Sequence, residues 1–453
     1  MENIRRVYFL GIGGIGMSAL ARYFHQQGAE VHGYDRTETA LTKALAEAGM
    51  HIHYEDQVDV VPEQIDLAIW TPAIPADHKE LNYIQSLGIP LLKRAAVLGL
   101  ISQSKRCIGI GGTHGKTSTS TLTSWLLRAT GVDITAFVGG ISGNFASNYL
   151  EGKSDWVVVE ADEYDRSFLQ LHPEVAVVNA VDPDHLDIYG SPEEVLRSYQ
   201  QFGRQLKPGG LLLLQAPEVA RAGHWESEGT IRTFGIDTGD YKATNLRVEQ
   251  GYSVFDLETP EHGTFLGLRI AYPGRHNVQN AVAAIAAALY AGADPKEIPA
   301  ALAQYKGVKR RFETICKTAA TVYVDDYAHH PAELEATIKA ARSFFPGKKI
   351  TGVFQPHLFS RTRDFVDGFA AALDLLDECL LLPIYPAREL PIPGVDSELI
   401  LRKMNLVNKL LVEKGQLLSY LQEHPQDVLL TMGAGDIDQF IEPIKEILEN
   451  KNK

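Results

Sequence analysis

Gly111-Gly112-Thr113-His114-Gly115-Lys116-Thr117 follows the apolar run 106–110 and precedes a segment of helical periodicity. Strand, glycine-rich turn and helix, in that order, let backbone N–H groups cradle phosphate oxygens. A lysine at the place of Lys116 reaches between the β- and γ-phosphates, and a hydroxyl at the place of Thr117 can ligate Mg²⁺. Position 110 is Ile where the strict spacing has glycine, so the match rests on the Gly-Lys-Thr core and its context. The stretch predicts a parallel α/β sheet that binds ATP with Mg²⁺; a glycine turn without a ligand is the plainer alternative.

The same signature recurs near Val7 and Val428. Strand 7–10 leads into Gly11-Ile12-Gly13-Gly14-Ile15-Gly16, a helix over 17–27 and a strand 30–34, with Asp35 nineteen residues beyond Gly16. This is the spacing with which glycines admit a diphosphate to a helix N-terminus and an acid meets a ribose. Nothing in it separates a nicotinamide cofactor from another nucleotide diphosphate, so an NAD(P)-dependent oxidoreductase remains an alternative. Further βα units run to about 102, and the polar stretch 102–105 reads as the turn between two domains.

Beyond the phosphate turn, strand 155–159 ends in Glu160-Ala161-Asp162-Glu163, and strand 175–179 runs into Asp182-Pro183-Asp184-His185-Leu186-Asp187. Ligands of a parallel sheet sit at the carboxyl ends of its strands. Glu160 suits an oxygen ligand of Mg²⁺; His185 is less usual for that ion, and the remaining acids read as loop solvation. After strand 211–214, residues 218–270 read as short antiparallel strands. Asn277 and Asn280 share a helix face, placed to read an adenine or hold a phosphate, or simply to cap the helix. A third βα series is predicted from strand 321–324 through helix 332–343, strand 350–354, helix 365–376 and strand 380–384 to strand 428–431. It carries Asp325-Asp326-Tyr327-Ala328-His329-His330-Pro331 and Phe354-Gln355-Pro356-His357-Leu358-Phe359-Ser360-Arg361. Adjacent histidines seldom face one ion, which argues against zinc, whereas an arginine suits bidentate binding of a carboxylate.

Composition agrees with an enzyme of this kind. The chain has 453 residues, 45% hydrophobic and 22% charged, room for about three domains. A net charge of −14 argues against broad binding to nucleic acid. Cys107, Cys316 and Cys379 stand far apart and read as small buried residues. No apolar run is long enough to span a bilayer, and the default compartment is the cytoplasm.

Taken together, Gly112–Thr117, Glu160–Glu163, Asp184–Asp187, Gly274-Arg275-His276-Asn277-Val278-Gln279-Asn280-Ala281, Arg311-Phe312-Glu313 and Asp325–Pro331 resemble the Mur ligases of peptidoglycan synthesis. The resemblance implies an α/β fold of three domains: residues 1–103, Rossmann-like and binding a UDP-sugar; 104–311, a P-loop ATPase-type parallel sheet with added antiparallel strands; and 312–453, Rossmann-like and binding an amino acid. It implies that the lactyl carboxylate of UDP-N-acetylmuramate attacks the γ-phosphate of ATP, and that an amine then attacks the acyl phosphate. The opening Gly-Ile-Gly-Gly-Ile-Gly-Met-Ser and the 354–363 segment favour L-alanine as acceptor; a tripeptide is the alternative.

By resemblance, Lys116, Glu160, His185, Arg311 and His329 are catalytic. Thr117 and Glu160 hold one Mg²⁺ and His185 a second. ATP contacts fall to Gly112, Thr113, His114, Gly115, Lys116, Thr117, Ser118, Asn277, Asn280, Arg311 and Asp325. The UDP-sugar falls to Gly11, Gly13, Gly14, Ile15, Gly16, Met17, Asp35 and Thr71, and the amino acid to Tyr327, His329 and Arg361. Some family members carry a second arginine where this chain has Leu358. Partners implied are the three small-molecule substrates, with neither nucleic acid nor membrane.

Overall fold

The computed structural model describes residues 4–183, 186–387 and 389–450. Three sheets carry an α/β chain that packs as two compact units. Among the described residues, one contains those up to 245 with 255–268 and 279–306; the other contains 246–254, 269–278 and those from 307 onward.

The first sheet is parallel throughout, in the order His51–His53, Glu30–Tyr34, Arg6–Leu10, Leu67–Trp70, Leu91–Lys93. Strand order reverses beside Arg6–Leu10, which opens a crevice at its carboxyl end against that of Leu67–Trp70. Gly11 (φ +87°) and Thr71 meet there, and a Cβ on Gly11 would come within 2.8 Å of the Thr71 methyl.

The second sheet has ten strands. Arg106–Gly111 lies between Trp156–Glu160 and Val175–Val178, parallel to both, with Ile110 opposite Glu160 and Gly111 opposite Val178. These strands are apolar nearly throughout because helices cover both faces. Parallel pairing continues further than the sequence suggested. Ala216–Ala222 is helix, and Thr230–Ile236 still runs parallel to Leu211–Gln215.

In the second unit the strand order is Glu313–Lys317, Val322–Asp326, Val428–Met432, Ile350–Phe354, Glu378–Leu381, Lys409–Leu411, parallel except for the first pair. Successive residues alternate between two apolar clusters. Val324, Phe354, Leu381 and Leu430 pack on one face, Tyr323, Val353, Leu380 and Leu429 on the other.

Several sequence expectations are corrected here. Ser102 and Ser104 do not form a turn; they lie in helix Arg94–Ser104, their hydroxyls donating to the carbonyls of Gly99 and Ile101, a bond that lets serine stay in a helix. The expected strand 380–384 is Glu378–Leu381. Pro383 cannot donate to a ladder, while Glu378 is tolerated inside because Lys349, Thr351 and Tyr420 all donate to it. The expected helix 365–376 is the shorter Val366–Leu373, and a further helix, Phe359–Asp364, precedes it. Cys107 and Cys379 are buried, but Cys316, on the edge strand Glu313–Lys317, is only partly so.

Candidate active site

Gly112 (φ +125°) turns the chain out of strand Arg106–Gly111, and Gly115 (φ +80°) turns it into helix Lys116–Ala129. Both backbone conformations favour glycine, and neither position has room for a side chain. A Cβ on Gly112 would lie 2.8 Å from the amides of Asn179 and Ala180, and one on Gly115 would strike Asn280. The neighbouring strand locks the turn: the Thr113 amide donates to the Ala180 carbonyl (2.9 Å), and the Asp182 amide donates to the Thr113 hydroxyl (3.1 Å). His114 stands 3.6 Å from Asp182. Ser118 lies in the helix, its carbonyl 3.4 Å from the Tyr305 hydroxyl.

Lys116 donates to the Gly112 carbonyl (2.8 Å) and to Glu163 (2.8 Å). The Glu163 side chain is only 3% exposed, so it is no solvated loop acid. Burial pushes its carboxyl above the ordinary value, against the pull of Lys116. Burial draws Lys116 down, but Glu163, Asp162 and Glu160 more than offset this, so it stands above the usual lysine value and remains an ammonium at neutral pH. Glu160, at the carboxyl end of the adjacent strand, accepts from the Thr117 hydroxyl (3.0 Å) and the Gly139 amide (2.8 Å). A hydroxyl and a carboxylate this close are an oxygen donor set of the kind that holds Mg²⁺. His185 lies outside the described residues. Asn280, buried, turns its side chain to Gly115, whereas Asn277 donates to the Pro273 carbonyl (2.7 Å).

At the crevice of the first sheet, Asp35 accepts from the Gly13 amide (2.7 Å) and the Thr37 amide (3.2 Å); it braces the glycine loop. Gly14 and Ile15 lie at the start of helix Ile15–Gln26. Met17 is 2% exposed, its side chain part of the core, so only its backbone can face a ligand.

In the second unit, Tyr327, His329, His357 and Arg361 gather past the carboxyl ends of Val322–Asp326 and Ile350–Phe354. The Tyr327 and His329 rings are 5.2 Å apart, and those of His329 and His357 are 6.2 Å apart. Burial, with Arg361 and Arg311 adding to it, holds the His329 ring below its ordinary pKa against the opposing Glu333; the ring is neutral at pH 7. Arg310 and Arg311 lie over the Tyr327 ring, 5.1 and 5.3 Å from its centre. Asp325 is fully buried and accepts from Arg310 (3.0 Å) and the Thr431 hydroxyl (2.6 Å), so in this structure it holds Arg310.

Asp326 accepts from the Phe312 amide (2.7 Å) and the Ala328 amide (2.8 Å). Burial nevertheless pushes its carboxyl up to about 6, against Arg311 and those amides. An unfolded aspartate titrates near pH 3.9, so between about pH 4 and 6 the folded state keeps a proton that the unfolded state has lost. Stability therefore falls as pH rises through that window, by on the order of 3 kcal/mol. Asp326→Asn should be less stable overall, having one acceptor for two amides, and should lack this slope. Denaturant midpoints taken across the window check it; parallel profiles for the two proteins would refute it.

Sequence reasoning passed over Glu163, Arg310 and His357, although all three stand in or beside quoted motifs. Only burial and partners mark them out.

Three family models match the chain in order: Mur ligase family, catalytic domain, over residues 6–106; Mur ligase middle domain over 110–288; and Mur ligase, glutamate ligase domain, over 310–435. The chain belongs to the Mur ligase family. Among its Mur relatives, a UDP-N-acetylmuramate–L-alanine ligase of Cytophaga hutchinsonii is 49% identical across 100% of this chain and 98% of its own. Another so named, from Porphyromonas gingivalis, is 47% identical across 98% and 99%. The crystal structure of UDP-N-acetylmuramate-alanine ligase from Thermotoga maritima superposes with a TM-score of 0.83 at 28% identity, covering 98% of this chain and 99% of that one. A murein peptide ligase from Psychrobacter arcticus shares the Mur fold, with a TM-score of 0.71 at 23% identity over 98% and 99%.

Proposed function

We propose that this protein is the ATP-dependent ligase that joins L-alanine to the lactyl carboxylate of UDP-N-acetylmuramate, releasing ADP and phosphate. Full-length identity of 49% to a relative of that name carries the reading, and the buried Lys116–Glu163 pair beside Thr117 and Glu160 supplies a site able to do the chemistry. A carboxylate must approach a triphosphate, and at about 4 Å each like-charge pair costs roughly 4 kcal/mol at an effective dielectric near 20. Lys116, released from Glu163, meets the β- and γ-phosphates, and amides of the 112–117 turn take further oxygens.

Thr117 and Glu160 would hold Mg²⁺, which supplies positive charge against the transferring phosphoryl group. The carboxylate oxygen forms a bond to the γ-phosphorus as the bond to ADP breaks. The alanine amine then adds to the acyl carbon, loses a proton, and phosphate leaves. We assign Tyr327, His329 and Arg361 to the amino acid, with Arg361 on its carboxylate; Arg311 and Asn280 to ATP; and the Gly11–Gly16 loop with Thr71 to the UDP-sugar. We assign the enzyme to the cytoplasm, where ATP is available to it; no described helix is long and apolar enough to cross a membrane.

Comparing acceptors tests the reading. With UDP-N-acetylmuramate and ATP present, L-alanine should drive phosphate release at a kcat/KM at least about 100-fold above that of L-alanyl-γ-D-glutamyl-diaminopimelate, since ~2.7 kcal/mol of discrimination is accessible to a fitted pocket. Preference for the tripeptide would favour the alternative acceptor.

A further inference from the structure

Gly16 does not need to be glycine for its backbone, because its φ lies outside the left-handed region; what lies against it, where a side chain would project, is the mobile end of Arg94. A Cβ there would strike the guanidinium, with Cδ and Cζ of Arg94 at 3.1 and 3.2 Å. Arg94 opens helix Arg94–Ser104 directly after strand Leu91–Lys93, so it stands on the carboxyl rim of the first sheet, where ligands of such sheets bind. Its other terminal nitrogen donates to Asp162 (2.9 Å). Asp162 is aimed by the Tyr164 amide (3.1 Å) and is the neighbour of Glu163, the partner of Lys116. Lys93 adds a second bridge, to Asp165 (2.9 Å), in a turn where Asp165 and Arg166 both have positive φ. The Arg94 side chain keeps 26% exposure, and its five donors in a planar fork exceed what one carboxylate can use.

We propose that Arg94 binds the diphosphate of the sugar nucleotide at the Gly16 end of the loop while holding Asp162, so that a single side chain links the sugar-nucleotide loop to the acidic strand end that positions Lys116. This rests on the function proposed above. Neither the glycine spacing nor the P-loop motif identifies Arg94, because it enters from a third segment of the chain.

The test uses the full-length enzyme and equilibrium binding of UDP-N-acetylmuramate and of UDP-N-acetylglucosamine, which carries the diphosphate but no lactyl carboxylate, together with the KM values for ATP and UDP-N-acetylmuramate. Arg94→Ala should weaken both sugar nucleotides by about 10- to 100-fold, the worth of one to two charge-assisted hydrogen bonds, and leave the KM for ATP within about twofold. Arg94→Lys should recover part of the loss. Gly16→Ala, which displaces the same guanidinium without removing it, should reproduce the pattern. Unchanged binding in Arg94→Ala overturns the proposal, as does a loss confined to UDP-N-acetylmuramate or an equal rise in the KM for ATP. Failure of the wild-type enzyme to bind UDP-N-acetylmuramate would instead strike the proposed function.

Discussion

Lys116→Ala is expected to lower kcat for phosphate release by at least about 10³-fold, since removing one preorganised donor to a transition-state oxyanion already costs 10²–10³ and this donor carries a full charge. The same substitution removes the cation beside a carboxylate whose side chain is 3% exposed. Breaking a buried pair from one side costs about 3–5 kcal/mol, so the variant should also be less stable. The two effects separate in the double variant Lys116→Ala/Glu163→Gln, where no buried charge is left unpaired. Its denaturant midpoint should recover most of the loss and its turnover none. A double variant that regained activity along with stability would show that Lys116 serves the fold and not the phosphates.

Glu160→Gln should be nearly as damaging, for a different reason. The amide can accept from Gly139 with its oxygen and donate to Thr117 with its nitrogen, so both contacts of the carboxylate survive in altered polarity. What vanishes is the negative charge. If Glu160 holds Mg²⁺ with Thr117, kcat should fall by about 10²–10³-fold, and the magnesium concentration giving half-maximal rate should rise by about tenfold or more. Unfolding should change by less than about 1 kcal/mol, as for a near-isosteric polar exchange. An unchanged magnesium titration would reduce Glu160 to a brace for the Gly139 turn.

The three-sheet fold was legible because each βα unit announces itself by an apolar run, a glycine turn and a helical period. Strands Glu30–Tyr34, Leu67–Trp70 and Ile350–Phe354 fall where that pattern puts them. Boundaries were missed where a polar residue is satisfied inside an element. Glu378 begins a strand because three partners donate to it, and Ser102 and Ser104 stay helical by bonding backward. In the site, Lys116, Thr117 and Glu160 could be named because phosphate and metal chemistry restricts residue type at fixed spacing. Glu163, Arg310 and Arg94 could not, since what distinguishes them from solvated charges is a partner supplied by a distant segment. Asp325, given to ATP by the family resemblance, is bonded within the protein to Arg310 and Thr431, partners that its place in the sequence does not announce.

The account turns on transfer of the γ-phosphoryl group to the lactyl carboxylate, and isotope tracing follows that transfer directly. UDP-N-acetylmuramate carrying ¹⁸O in both carboxylate oxygens, turned over with ATP and L-alanine, should yield ADP and inorganic phosphate bearing one ¹⁸O from each substrate molecule, the other remaining in the new amide. Unlabelled phosphate, or label appearing in AMP, would contradict it.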